Sequence, residues 1–362
     1  MAPMAGITDS AYRLMAKKGG AKLCYTEMVS VSGIHFASHN TINLLRCFGG
    51  MNPRLRLAVS KNLPHIPFMT EGPLAVQLFG SDPALFVEAL PVLEREVGER
   101  LALIDINMAC PVKKVRKIGA GAELLRNTVR ARKIVRALKE ATQLPITAKI
   151  RLLDPSDTIS SADQKHPDAP ELEAFEITVN HTIEFARALE EEGLDAITLH
   201  GRTAPQLYHG TSNLDAVDKV GQALSIPLVA SGDMLSAHAG VEALLRRGVS
   251  GVMFARGTLG NPWIFSDAEV IRARNEAGES HGPKHFGHSR EEKLNTFIEH
   301  VGLLMVTDGQ LLRARTLFCH YIRDFPHARE WRNRIMQAKT AEEFIAVANA
   351  YKAELSDKQS HD

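Results

Sequence analysis

Several kinds of chemically active side chain gather in one short segment of the sequence. An apolar run, Leu101–Ile106, predicts a buried strand, and Pro111 predicts its end because proline has no N–H for a β-ladder. An amide, Asn107, and a thiol, Cys110, come next, and a basic cluster at residues 113–117 follows. This mixture indicates a functional site rather than a connecting loop, and a buried structural cysteine is the alternative.

Composition limits the classes of protein that the chain can belong to. The length of 362 residues suits one large α/β barrel plus a small domain. The formal net charge is +1, so binding of a nucleic acid would need a local basic patch. The cysteines, Cys24, Cys47, Cys110 and Cys319, have neither CxxC nor zinc spacing, which predicts no metal site and a reducing, cytoplasmic location. We find neither a signal-peptide pattern nor an apolar run of ~18 residues, and expect no membrane association.

Strand and helix patterns alternate along most of the chain. Strands are predicted at residues 21–29, 74–80, 101–106, 145–152, 195–200, 226–230 and 251–255, and residues 2–4 would supply one more. This alternation implies a parallel sheet with right-handed crossovers. The number of βα units predicts an α/β fold, a (β/α)8 TIM barrel. An open doubly wound sheet is the alternative, but no GxGxxG motif follows the first strand.

The alternation stops after Trp263. Residues 271–289 are polar, rich in glycine and histidine, and are predicted to be a linker. Amphipathic patterns then occur at residues 294–305, 311–325 and 344–355. They predict a small C-terminal all-helical domain, with additional barrel-covering helices as the alternative. The expected domains are therefore residues 1–270 and 290–362.

Two segments are longer than ordinary barrel loops. Residues 36–70 and 153–176 each follow a predicted strand, so both are expected on the face where barrel active sites lie. They are predicted to shape the choice of substrate, and inert surface insertions are the alternative because long loops cost little entropy.

Polar groups stand at or just after the predicted ends of nearly all strands. They are Glu27, Gln77, Asn107, Cys110, Lys149, His200, Ser231–Asp233 and Ala255–Gly257. In a barrel these ends converge on one pocket, so the set predicts a single site, although each member alone has a packing explanation. The glycines and Arg256 after the last two strands predict a site for a phosphate-bearing ligand. Lys149 would place a cation against an electron-rich ring such as a flavin.

The ordered motifs resemble those of one family, the tRNA-dihydrouridine synthases, which are FMN-dependent enzymes that reduce uridines in tRNA. The resemblance rests on Ala2–Asp9, Val76–Leu78, Asn107–Pro111, Lys114–Val115, Gly119–Ala122, Leu124–Leu125, Lys149–Arg151, His200–Thr203, Ser231–Asp233 and Ala255–Trp263. These motifs follow the order of the family over about residues 1–265. The resemblance implies a TIM barrel followed by a helical domain that contacts tRNA.

The resemblance also implies roles for individual residues. FMN would be bound by Pro3, Met4, Ala5, Gln77, Asn107, Lys149 and His200, with its phosphate held by Ser231, Gly232, Asp233, Ala255 and Arg256. NADPH would reduce FMN, hydride would pass from flavin N5 to carbon 6 of uracil, and Cys110 would protonate carbon 5. A thiol suits this role because it is mostly protonated at neutral pH. A monomer is expected, and tRNA would be contacted by Lys114, Arg151, Arg202, Arg313 and Arg315.

Two other functions are weighed against this one. A flavin barrel could act on a free pyrimidine, but such a substrate needs neither a helical domain nor its arginines. An RNA-binding barrel could have lost flavin chemistry, and this reading is supported by Ala109 and Ala255, where the family usually has glycine. Ala109 would be strained if that position required a positive φ, and Ala255 would narrow the phosphate loop.

Overall fold

The structure is a computed structural model that describes residues 1–47, 71–154, 171–279, 286–307 and 310–359. Its strands are β1 (Cys24–Tyr25), β2 (Val29–Ser30), β3 (Leu74–Phe79), β4 (Leu101–Met108), β5 (Ile146–Leu152), β6 (Ala196–Thr203), β7 (Leu228–Ser231) and β8 (Gly251–Met253). They form one sheet in which every pairing is parallel, in the order β1-β3-β4-β5-β6-β7-β8, and β2 also pairs with β3. The predicted α/β class with a parallel sheet is confirmed.

Helices separate most of these strands and continue after the last one. They are α1 (Ser10–Lys18), α2 (Val31–His35), α3 (His39–Asn43), α4 (Pro83–Val97), α5 (Lys113–Arg116), α6 (Thr128–Ala141), α7 (Glu171–Glu190), α8 (Leu214–Gln222), α9 (Ala237–Leu244), α10 (Ile264–Glu276), α11 (Arg290–Val306), α12 (Arg313–Tyr321), α13 (Ala328–Ile335) and α14 (Ala341–Gln359). Short 3-10 turns occupy Gly98–Arg100, Gly121–Arg126 and Arg256–Thr258.

The strand predictions are confirmed with some changes of boundary. Residues 21–29 form two short strands, β1 and β2, which both pair with β3. Pro111 does not end β4, because β4 already ends at Met108. Residues 2–4 form no strand, although the Ala2 N–H donates to the Phe254 carbonyl at 2.8 Å. The Met1 amino group also donates to the Leu23 carbonyl at 2.7 Å, so the segment contacts its neighbours without forming a strand.

Local sequence signals account for where several helices begin. The Asp82 carboxylate accepts the Ala84 N–H and Pro83 occupies the first helical position, so α4 starts with both of its usual signals. Asn127 caps α6 and Ser236 caps α9 in the same way. Helix α6 buries one aliphatic face of alanine, isoleucine, valine and leucine residues. Each larger side chain there contributes roughly 1.5–3 kcal/mol by burial.

The two long segments are partly helical. Helix α7 already begins at Glu171, so the prediction of a loop through residue 176 was wrong at its end. Helix α3 lies inside the first segment. Residues 48–70 of the first segment and 155–170 of the second lie outside the described residues, and the predictions made for them stay predictions.

The chain divides into two compact units. The first comprises Met1–Gly6, Leu23–Arg46 and Gly72–Ala255, and its buried centre contains Ala2, Tyr25, Ala75 and Met253. Tyr25 in β1 and Met253 in β8 therefore share one cluster, although these two strands stand at opposite ends of the strand order.

The second unit comprises the described residues of Ile7–Lys22, Cys47–Glu71 and Arg256–Asp362. It contains α1 together with α10 to α14. The bounds of the two units differ from those of the predicted domains, residues 1–270 and 290–362, which stay a prediction. The sequence patterns missed α13, an additional helix in which Trp331 stacks on Tyr351 with ring centroids 4.6 Å apart. In the described residues, no helix is long and apolar enough to cross a membrane.

His300 is buried in the second unit and generates a prediction about stability. Its side chain is 1% exposed, its Nδ1 lies 3.3 Å from the Tyr321 hydroxyl, and its Nε2 has no hydrogen-bond partner among the described residues. Burial lowers the pKa of His300 to about 3. Because the unfolded chain takes up this proton near pH 6.5 and the folded chain does not, the stability that the neutral ring provides is lost as pH falls below 6.5.

We therefore expect the wild-type protein to lose about 2 kcal/mol more unfolding free energy than His300→Phe between pH 7 and pH 5. Urea unfolding of both proteins at the two pH values measures this difference. The exposed His238 provides the control, since His238→Gln should behave like the wild type. Equal pH dependence in the wild type and His300→Phe would contradict the prediction.

Candidate active site

The predicted site residues of the first unit stand in registered rows across the sheet. Gln77 pairs with Asp105, and Asp105 pairs with Thr147, so these side chains share one face and one height. Asn107 pairs with Lys149 in the next row. A third row begins at Arg151, which pairs with His200, and His200 pairs with Ser231. The strands thus bring the predicted polar residues together.

A continuous chain of hydrogen bonds links the first two rows. Thr147 Oγ1 donates to Asp105 Oδ1 at 2.6 Å, and Gln77 Nε2 donates to Asp105 Oδ2 at 2.7 Å. Asn107 Nδ2 donates to Gln77 Oε1 at 2.7 Å. Asn107 Oδ1 in turn accepts the Cys110 N–H at 3.0 Å. The chain therefore runs from a buried carboxylate to the backbone of the cysteine.

The segment that carries Cys110 is packed closely against a glycine. The Cys110 carbonyl accepts the Ala122 N–H at 3.0 Å, and a Cβ on Gly121 would lie 2.7 Å from that carbonyl oxygen. Gly121 also has φ +61°, so a side chain is excluded there for two reasons. Ala109 is not among the residues with positive φ, so the strain that glycine would relieve is not present at this position. The Cys110 side chain is half-buried.

Arg151 holds the backbone of the two loops that follow β4 and β6. Its Nε donates to the Ala109 carbonyl, and its Nη1 donates to the carbonyls of Thr203 and Leu207, each at 3.0 Å. Leu207 has φ +51°, and the next residue, Tyr208, is 63% exposed. Arg151 is itself buried, so its guanidinium serves these carbonyls and positions an aromatic ring at the surface.

The buried Arg202 forms an ion pair with Asp233, whose side chain is half-buried. Its Nη1 and Nη2 donate to the two Asp233 carboxylate oxygens at 3.0 and 2.6 Å, a bidentate arrangement. Its remaining donors reach the carbonyls of His209 and Gly210 at 3.1 and 2.7 Å. Arg202 is 2% exposed, so the geometry gives it a positioning role, and its predicted contact with substrate stays a prediction.

The predicted phosphate loop has an unusual backbone. Gly232 has φ +107° and Asp233 has φ +53°, and the Asp233 Oδ2 accepts the Ser212 N–H at 2.9 Å. A Cβ on Gly232 would lie 2.3 Å from Ser212 Oγ and 2.8 Å from His200 Cδ2. Ser231 is buried beside this turn. The glycine keeps open a narrow space between the ends of β6 and β7.

Burial and neighbouring cations set the charges of Lys149 and His200. Burial first, and then Arg151, lower the pKa of Lys149 to about 8, so its amine is still mostly protonated at pH 7. Burial, and then the cations Lys149, Arg151 and Arg202, lower the pKa of His200 to about 2. The imidazole of His200 is therefore neutral, and its Nε2 lies 3.4 Å from Arg202 Nη1.

The N-terminal segment of the first unit lies at Glu27. The Glu27 side chain is buried, and its Oε2 accepts the Gly6 N–H. Pro3 and Met4 are half-buried and Ala5 is exposed. Glu27 thus fixes the segment whose backbone is predicted to meet the cofactor. Ala255 is half-buried, lies two residues after the end of β8 at Met253, and also lacks a positive φ.

The other basic residues of the prediction lie elsewhere. Lys114 is exposed in α5, beside the segment of Cys110. Arg256, Arg313 and Arg315 belong to the second unit. Arg256 is exposed, Arg313 pairs with Asp9 at 2.8 Å, and Arg315 donates to the Ala338 carbonyl. Among the described residues, no cluster of histidine, cysteine or carboxylate side chains is arranged to hold a metal ion.

Sequence reasoning missed Thr147 and Tyr208. Thr147 precedes Lys149 by two residues, so strand alternation would have placed both on one face. Tyr208 lies in a loop, and its exposure follows from a backbone conformation at Leu207 that no periodic signal encodes.

Comparison with known proteins identifies the family. The family model described as "Dihydrouridine synthase" matches residues 1–165 and 176–358. The chain belongs to the dihydrouridine synthase family. A probable tRNA-dihydrouridine synthase 1 from Synechocystis is 31% identical over 344 residues, which cover 94% of this chain and 82% of that protein. A tRNA-dihydrouridine synthase B from Xanthomonas axonopodis is 30% identical over 355 residues, 97% of this chain and 91% of that protein. One from Pseudomonas aeruginosa is 29% identical, with 98% and 92% covered.

The match to the dihydrouridine synthase family includes every strand that carries the candidate site. It also includes α10 to α14, the helices that follow β8. The family resemblance read from the motifs is therefore confirmed. The roles of the individual residues are not tested by the comparisons and belong to the proposal below.

The Arg202–Asp233 ion pair generates a prediction about stability. Arg202→Leu removes the partner of Asp233, whose side chain is 29% exposed, and the donors to two carbonyls, so we expect a loss of about 1.5–3 kcal/mol in unfolding free energy. Urea unfolding measures this loss. The control is Arg246→Leu, whose exposed pair with Asp215 should contribute less than about 1 kcal/mol. Similar losses in the two variants would contradict the larger contribution that we assign to the hydrogen bonds of the buried Arg202.

Proposed function

We propose that this chain is an FMN-dependent tRNA-dihydrouridine synthase in which Cys110 is the proton donor. The observation that carries the proposal is the placement of Cys110 at the end of the hydrogen-bond chain through Asn107 and Gln77, one row from the Lys149 cation. Family membership and the names of the relatives support the same reaction.

We also propose that the first unit is a closed (β/α)8 barrel and that the chain ends in a helical tRNA-binding domain. Closure is supported by the cluster that joins Tyr25 and Met253, from opposite ends of the strand order. The Ala2 hydrogen bond to Phe254 supports a place for the N-terminal segment between those ends. The helices after residue 289 support the second part of this proposal.

The residues of the site fit the flavin that the family implies. Bound FMN would supply the hydride for carbon 6 of uracil. Gln77 has a second Nε2 hydrogen that its bond to Asp105 does not use, and Lys149 offers a cation to an electron-rich ring. Asn107 would take part mainly by holding Gln77, since its own amide oxygen already accepts backbone N–H groups. The backbone of Pro3, Met4 and Ala5 would lie along the ring.

The phosphate of FMN would bind at the turn after β7. Gly232 has φ +107° and no side chain, so the backbone of this turn is open to the close approach of an anion. Asp233 is neutralised by Arg202, so its carboxylate would not repel the phosphate strongly. Ser231, which is buried, and Ala255, which is half-buried, are proposed to complete this site.

Cys110 would protonate carbon 5 of the target uracil. The half-buried thiol is exposed enough to reach a base, and Asn107 and Gly121 fix its backbone. A uridine within folded tRNA must leave its stack to reach such a pocket. The exposed ring of Tyr208 would offer a stacking surface for it, and the exposed Lys114 would meet a phosphate. NADPH as the reductant, a monomeric state and a cytoplasmic location complete the proposal.

Replacement of Cys110 tests the acid role. We expect Cys110→Ala to keep bound FMN and its bleaching by NADPH, and to lose dihydrouridine formation by about 10²-fold or more, because only the proton transfer is affected. Anaerobic visible spectra and mass spectrometry of tRNA nucleosides measure the two steps. Cys319→Ala is the control and should be active. Full activity of Cys110→Ala would exclude the acid role.

Replacement of Gly232 tests the phosphate site. Gly232→Ala would strain a residue with φ +107° and push against His200, so we expect FMN to bind at least roughly tenfold more weakly. Gly251→Ala in β8 is the control, because its Cβ would meet Val229 at an ordinary 3.5 Å. Fluorescence titration of the apoprotein with FMN measures both affinities. Equal FMN affinities in the two variants would show that the phosphate does not bind at Gly232.

A further inference from the structure

Asp105 is a fully buried carboxylate that the proposed reaction does not use. Its side chain is 0% exposed and lies in the middle of β4, two residues before Asn107. Its two oxygens accept from Thr147 Oγ1 and Gln77 Nε2. A buried carboxylate is costly to keep in a sheet, so its retention here calls for a physical reason.

The hydrogen-bond chain that begins at Asp105 has a fixed direction. An ionised carboxylate only accepts, so the Gln77 amide must turn its Nε2 toward Asp105 and its Oε1 toward Asn107. Asn107 must then turn its Nδ2 toward Gln77 and its Oδ1 toward the N–H groups of Ala109 and Cys110. Backbone N–H groups only donate, so both ends of the chain favour the same orientation of the two amides.

We propose that Asp105 is a positioning residue for Cys110, and that it acts through Gln77 and Asn107 on the backbone that carries the thiol. The catalytic consequence rests on the proposed function, whereas the structural consequence does not. Without an acceptor at position 105, a buried Gln77 donor would be left unpaired, and the amide would gain by rotating away from Asn107. Asn107 would then be free to leave the Cys110 N–H.

The ionisation of Asp105 is consistent with this role. Burial raises its pKa to about 6, while the donors Gln77 and Thr147 and the charge of Lys149 oppose that rise. The group is therefore mostly ionised at pH 7 and accepts through both oxygens. The facing hydroxyl of Tyr25 hydrogen-bonds with Thr147 and Thr198, and it adds no second charge at neutral pH because burial raises its pKa.

Two replacements of Asp105 show whether its role requires an acceptor for the Gln77 hydrogen bond or requires a negative charge. Asp105→Leu has a similar shape and cannot accept, so Gln77 loses its partner. Asp105→Asn keeps an oxygen toward Gln77 Nε2 and turns its amide toward Thr147, whose hydroxyl is able to accept instead. The proposal therefore expects the two variants to differ strongly, while a requirement for charge alone would make them alike.

The first measurement is the alkylation rate of Cys110 by iodoacetamide, followed by peptide mass spectrometry over pH 7–10 so that exposure and thiol ionisation are separated. The FMN-loaded protein is used, and Cys319 in α12 is the internal reference. We expect Asp105→Leu to raise the Cys110 rate roughly tenfold relative to Cys319, and Asp105→Asn to stay within about threefold of the wild type.

The second measurement separates the two half-reactions. In Asp105→Leu, reoxidation of the reduced flavin by unmodified tRNA should slow roughly tenfold, while reduction by NADPH stays within about threefold. If the wild type forms no dihydrouridine, the proposed function fails, and the alkylation rates still decide the role of Asp105.

Three results would overturn the positioning role. They are an unchanged Cys110 rate in Asp105→Leu, an equal rise at Cys319, and equal rises in Asp105→Leu and Asp105→Asn. If Asp105→Leu does not fold, Gln77→Met interrupts the same chain at its middle, and it should raise the Cys110 rate by a similar factor. An unchanged rate in that folded variant would equally overturn the proposal.

Discussion

The candidate site depends on one constraint, the parallel direction and fixed register of its strands. Parallel strands place all their C-terminal ends on one edge, so residues far apart in the chain meet there. The register then decides which of them touch: Gln77, Asp105 and Thr147 share a row across β3, β4 and β5. A slip of one residue in β4 would turn Asp105 to the opposite face and break every hydrogen bond in that row.

This arrangement brings polar groups into the sheet, and each of them needs a partner. A buried polar side chain is tolerated when its hydrogen bonds are made, and costs roughly 1–3 kcal/mol when one is left unmade. The first unit meets this requirement with side chains inside the strands and with loop carbonyls above them. Arg151 and Arg202 each leave a strand and end on backbone carbonyls. The two arginines thus attach the loops that carry Cys110 and Tyr208 to the strands of the sheet.

Much of this site was predictable from sequence because its signals are local and periodic. Apolar runs located the strand regions of the sheet, although one run, residues 21–29, forms two of its eight strands. Polar residues at predicted strand ends, such as Lys149 and His200, lie in registered rows with other predicted residues, and the shared pocket stays a prediction. The sequence did not reveal that β6 continues to Thr203, which puts Arg202 inside a strand and pairs it with Asp233. That pair is a long-range contact, and a basic residue beside a loop resembles a surface cation until its partner is known.

Helix α13 was missed for a related reason. It is short, and its N-cap residue His327 has φ +57° and makes no side-chain cap, so neither length nor a capping signal marks its start. Its stability comes instead from Trp331, which is buried against Tyr351 of the following helix, α14. Tertiary packing of this kind overrides weak local propensity, and a single sequence does not show it.

The electrostatics of the site follow from the same burial. Lys149 and Arg151 lie two residues apart in β5, where both are buried, so their mutual repulsion is larger than it would be at a surface. Burial first, and then these cations, lower the pKa of His200, so its imidazole is neutral. Asp105 offsets part of the Lys149 charge, and Asp233 is already used by Arg202. Among Lys149, Arg151, Arg202, Asp105 and Asp233 positive charge exceeds negative charge, which is the balance that the proposed electron-rich flavin would need.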